Sequence, residues 1–69
     1  MQSSQFEIVR QLLAAGAFIE QVSDAPLVYR IRVGNVAAPL PGGLVQQLLA
    51  HRAIRQSCRV SGRMRFVAT

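Results

Sequence analysis

Apolar positions along this chain recur with two periods, about 3.6 residues in some stretches and 2 in others, the signatures of helix and strand. Ser4-Gln5-Phe6-Glu7 opens the first helical stretch as a capping box: the serine hydroxyl accepts from the Glu7 N–H, and the Glu7 side chain reaches back. Phe6, Val9, Leu12, Leu13 and Ala17 follow at helical spacing, and Gly16 is a natural stop. The spacing predicts a helix from Gln5 to about Ala15. Phe18, Ile19 and Val22 then suggest a short strand, and Ser23-Asp24-Ala25-Pro26 is rich in turn formers. From Leu27 to Val33 the chain alternates, with Tyr29, Ile31 and Val33 on one face and Val28, Arg30 and Arg32 on the other. This segment is the return strand of a hairpin that Gly34-Asn35 ends.

The stretch NVAAPLPGG is read as a stiff linker, because Pro39 and Pro41 lack donors and restrict the residues before them. Its glycines do not make a phosphate-cradling loop, which needs spaced glycines followed by Lys and Ser or Thr. A second helix is predicted from about Gly43 to His51, its buried stripe made by Leu44, Val45, Leu48 and Leu49. A second hairpin follows. Ile54, Gln56, Cys58 and Val60 share one face of its first strand, and Arg55, Ser57 and Arg59 the other. Ser61-Gly62 marks the tight turn, and Met64, Phe66 and Ala68 alternate with Arg63, Arg65 and Val67 on the way back.

QLLA occurs twice, at Gln11 and at Gln47, an offset of 36 that also aligns Val9 with Val45 and Ala17 with Ala53. An α-β-β duplication and two independent solutions to covering a sheet with a leucine stripe both give this pattern. Either way, the expected fold is α+β: two short helices packed on a small antiparallel sheet in the order helix, hairpin, helix, hairpin. The expected core holds Phe6, Val9, Leu12, Leu13, Leu44, Val45, Leu48, Leu49, Tyr29, Ile31, Met64 and Phe66. The uncovered face then collects Arg30, Arg32, Arg55, Arg59, Arg63 and Arg65, since alternate strand residues point to opposite sides.

At 69 residues the chain is one domain, and with 51% hydrophobic residues it is expected to be ordered. Its burial margin is thin, so a homodimer that adds buried area is a natural option. No apolar run is long enough to span a bilayer, and no secretory leader is visible; with Cys58 as the single cysteine, a reducing cytoplasm is the expected home. Cys58 itself reads as a small residue partly buried in a strand.

Charge sharpens the picture. The net charge is +5, every basic residue is arginine, and Glu7, Glu20 and Asp24 all precede the last seven arginines. Three acids, one histidine and one cysteine leave little for catalysis or a metal site. His51 has no second ligand at metal spacing, so no catalytic residue, metal or cofactor is expected. A small toxin is the least supported class. The arginines suit either DNA, through its phosphate backbone, or an acidic protein surface. Tyr29, the one aromatic with a chance of reaching a groove, belongs to the core by its period, which argues against single-strand stacking.

From Leu44 onward, LVQQLLAHRAIRQ and CRVSGRMRFVAT resemble the recognition helix and wing of a winged helix-turn-helix domain, and the whole chain is similar in outline to short winged-helix-like proteins of bacteria and mobile elements. The resemblance implies that Gln46, Gln47, His51 and Arg52 line the helix edge facing the major groove, with Arg59, Arg63 and Arg65 as wing contacts. It implies a small regulatory DNA-binding protein. The alternative, of the kind carried by phages, is an inhibitor or adaptor that docks its arginine face on a larger protein.

Overall fold

The computed structural model describes residues 4–69. Helix α1 (Gln5–Ala14) is followed by strands β1 (Phe18–Asp24), β2 (Leu27–Val33) and β3 (Val36–Leu40), then by helix α2 (Gly42–Ala50) and strands β4 (Ile54–Val60) and β5 (Arg63–Ala68). The strands form one antiparallel sheet in the order β3-β2-β1-β5-β4. The fold is therefore α+β, as expected from the sequence. The connection between the helices is three-stranded, however, and not a hairpin plus a linker.

That difference lies in NVAAPLPGG. Gly34 takes a positive φ of 60° and turns the chain back, so Val36–Leu40 pairs along β2 from Val33↔Val36 to Tyr29↔Leu40. Pro39, which argued for a linker, sits on the edge strand of the sheet, where a missing donor is tolerated. Pro41 serves as N-cap of α2 with φ −64°, pre-set for the turn that follows.

The helix signals behave as their chemistry requires. Glu7 N donates to Ser4 Oγ at 3.1 Å, which is the forward half of the capping box. The Glu7 carboxylate instead pairs with Arg10 at 3.3 Å. Both helices end in the same Schellman closure. Ala17 N donates to Leu12 O at 3.0 Å and Gly16 N to Leu13 O at 3.1 Å; Ala53 N donates to Leu48 O at 2.9 Å and Arg52 N to Leu49 O at 3.0 Å. The left-handed residue is Gly16 (φ 110°) in the first and Arg52 (φ 56°) in the second.

The likeness between the halves ends at these caps. Ile54 faces the core, whereas its counterpart Phe18 lies on the opposite side of the sheet from the core residue Ile19. The two hairpins are also joined through β1 and β5, a first strand to a second, so no two-fold axis relates them.

Both helices lie on one face of the sheet. Val9 and Leu13 of α1 and Leu44, Val45 and Leu48 of α2 pack with Ile19, Tyr29, Ile31, Ile54 and Phe66 into a single cluster. Ile19, Val45 and Leu48 are fully enclosed. At about 25 cal/mol per Å² of apolar surface, burying such a side chain contributes roughly 1.5–3 kcal/mol, and these contacts hold the sheet flat against the helices. Phe6, Leu12 and Met64 are only partly buried, and Leu49, expected inside, is exposed. Leu49 loses its place because Val45 and Leu48 already fill the contact between α2 and the sheet. Among the described residues, no helix is long and apolar enough to cross a membrane.

Candidate functional site

The uncovered face of the sheet follows from strand register. Ile31 and Phe66 are core residues paired to Ile19, so their neighbours Arg30, Arg32 and Arg65 point away from the helices. Arg55 pairs with Val67, next to Ile54↔Ala68 on the core side, so Arg55 also faces outward; Arg63 follows by its alternation with Phe66. Five of the expected arginines thus share the open face.

Arg59 does not join them. A one-residue bulge between Gln56 and Arg59 shifts the β4–β5 register, so Arg59 pairs with Met64 and is turned to the helix side. There it donates to the Gly62 carbonyl at 3.2 Å. The strict alternation read from the sequence fails at this bulge, which no residue in QSCR marks. Cys58, in the same irregular stretch, is exposed and not partly buried.

The centre of the open face is not purely basic. Glu20 pairs across strands with Arg30 on one side and Arg65 on the other. It is 8% exposed, and its Oε1 forms an ion pair with Arg32, 2.9 Å from Nε. The acid counted with the N-terminal third of the chain is therefore set among the arginines, because β1 is the central strand. Beside it the Arg65 guanidinium lies 4.0 Å from the centre of the Phe18 ring, and Arg65 Nε is buried without a hydrogen-bond partner. A guanidinium over an aromatic face is held by the ring quadrupole, so Arg65 is ordered by packing. From the sequence Phe18 reads only as part of a strand; its place on the open face follows from its neighbour Ile19 being the core residue. Tyr29 is buried as expected, its ring edge-on to Phe66 at 6.2 Å.

The remaining predicted residues lie on the other side of the molecule. Gln46 and Gln47 are exposed on α2, and His51 and Arg52 are exposed at its C-terminal end. The His51 ring sits edge-on to Phe6 at 5.2 Å, and Thr69 Oγ1 donates to the Arg52 carbonyl at 2.9 Å. These residues border an open groove of about 350 Å³ that also contains Arg10 and Leu13. The sheet separates this group from Arg30, Arg32, Arg55, Arg63 and Arg65, so one flat ligand cannot touch both. Among the described residues there is no group of three His, Cys, Asp or Glu side chains that could hold a metal ion.

Compared with family models, with curated proteins and with solved structures, the chain matches none.

Proposed function

We propose that the chain is a small nucleic-acid-binding module of regulatory type, which grips the phosphate backbone with its open sheet face and the adjoining β4–β5 hairpin. The observation that carries this reading is the gathering of Arg30, Arg32, Arg55, Arg63 and Arg65 on one exposed face against the single acid Glu20. Each arginine that neutralises a phosphate releases a counterion, and this entropy gain drives binding without reading sequence. Arg32 and Arg65 are pre-positioned, one by Glu20 and one by Phe18, so less side-chain entropy is lost on contact.

Within a winged-helix-like reading, the Ser61-Gly62 turn, with positive φ at both residues, makes the β4–β5 hairpin the wing. Arg63 and Arg65 are its outward contacts, whereas Gln46, Gln47, His51 and Arg52 lie behind the sheet. Backbone contact is thus favoured over base readout. The module needs no catalytic group or cofactor for this role. A generic duplex at about 50 mM salt should bind, with affinity falling steeply toward about 200 mM. Absence of binding at the lower salt refutes the proposal.

One observation favours a protein-docking reading instead. The middle of the face is closed by the Glu20–Arg32 pair and the Phe18–Arg65 stack, which gives a firm surface for an acidic protein partner. A stoichiometric complex that survives nuclease treatment would select this reading.

A further inference from the structure

The arginines leave one long part of the chain untouched. From Val33 to His51 there is no Asp, Glu, Lys or Arg, in a chain of net charge +5. That stretch contains all of β3 and α2, and β3 is one of the two edges of the sheet. An edge strand offers unpaired N–H and C=O groups, which natural proteins usually protect.

The two edges are protected very differently. Strand β4 carries Arg55 and Arg59 and is broken by the bulge after Gln56, two devices that discourage pairing. Strand β3 carries no charge and is paired to β2 without a bulge; its only protection is Pro39, which leaves the stretch before it free to donate. Its helix side is also bare. Val33 pairs with Val36, and Ile31 with Ala38; because Ile31 faces the core, Val33, Val36 and Ala38 form an apolar row on the same side. Val36 is 67% exposed and Val33 38%, and Ala38 is exposed as well. The helices cover the sheet but stop short of this ledge.

We infer that β3 is a self-association edge, and that the partner it fits is a second copy of this chain, paired antiparallel through β3. The choice of a second copy rests on charge and symmetry. Two molecules of +5 can approach closely only where neither carries charge, and β3 is the edge that meets this condition. Antiparallel pairing of identical strands about an axis normal to the sheet also sets each apolar ledge against its counterpart. It buries Val36 and Ala38 from both copies, with Val33 of each β2 flanking them.

The same operation keeps the two open faces on one side. Arg30 and Arg32 lie on β2, next to β3, so the β2 strands of the two copies would stand three strand spacings apart, about 14 Å at 4.7–4.9 Å each. The arginine faces would merge into one continuous surface. The association itself stands without the nucleic-acid reading, since its evidence is the edge and not the arginines.

Sedimentation equilibrium of the full chain up to about 200 µM tests it, the range in which short interfaces show themselves. The expected result is a mass that rises toward twice that of the chain. Val36→Lys and Val36→Glu should each weaken association by about tenfold or more, because like charges then face one another on paired strands. An equimolar mixture of the two should restore it, which a merely misfolded variant could not do. Ser57→Lys, on the β4 edge, should change nothing. A wild-type chain that stays monomeric throughout, or a Val36→Lys variant that associates as before, overturns the inference. Loss of duplex binding by a wild-type chain that still dimerises would count against the proposed function alone.

Discussion

Arg52 and Glu20 occupy positions whose cost is visible in the backbone or in burial. Arg52 adopts the left-handed conformation at φ 56°, where the first helix uses Gly16. An L-residue there loses roughly 1 kcal/mol relative to an unstrained geometry, and glycine avoids the penalty. Arg52→Gly should therefore raise stability by up to about 1 kcal/mol, a melting shift of about 4–8 °C in a chain this small, read by thermal circular dichroism. Gly16→Ala should shift it the other way. Glu20 is the second case: its carboxylate is nearly enclosed and holds Arg32 at 2.9 Å. Because Arg32 is half exposed, water screens the pair, and Glu20→Gln should cost only about 1 kcal/mol. The same change removes the acid from the open face, so duplex affinity at low salt should increase while stability falls. An unchanged affinity would place the ligand elsewhere.

The helices and strands divide into those legible from the sequence and those that tertiary context decides. Both helices, both turns flanking β2 and the tight turn at Ser61-Gly62 follow from caps, glycines and alternation, because each signal acts over a few neighbouring residues. Strand β3 was hidden because Ala37, Ala38 and Pro39 have poor strand propensity; it forms because β2 offers an open edge to a chain already reversed at Gly34. The bulge in β4 was hidden for a similar reason, since it accommodates β5 and leaves no mark in composition. Of the candidate site, Arg30, Arg32, Arg55, Arg63 and Arg65 were placed correctly by period, while Arg59 was lost to the bulge. The roles of Glu20 and Phe18 required the strand order, because only β1's central position sets them among arginines from β2 and β5. Helix α2 gives a direct check on its stripe. Leu48→Ala should cost about 2–5 kcal/mol, enough to unfold much of so small a domain, whereas Leu49→Ala should cost well under 1 kcal/mol. Urea midpoints of the two variants measure the difference.

Taken whole, the molecule is a two-layer slab of 39 × 23 × 22 Å, with helices behind and arginines in front. The five arginines of the open face lie on β2, β5 and β4, at most three strand spacings apart across the sheet, about 14 Å at 4.7–4.9 Å each, so they can meet phosphates within a single duplex turn of roughly 34–36 Å. If all five engage, log K should fall with log salt at a slope of about −4.5. Fluorescence anisotropy of a labelled generic duplex, titrated at several salt concentrations between about 50 and 200 mM, measures that slope. The decisive comparison replaces Arg30, Arg55 and Arg63 with Gln in one variant, and His51 and Arg52 with Gln in another. Arg32 and Arg65 are left alone because Glu20 and Phe18 pack against them. The expected result is that the first variant's slope flattens to about −2 while the second keeps the wild-type value. Equal slopes for the two variants, or loss confined to the His51–Arg52 variant, would contradict the assignment of the open sheet face as the binding surface.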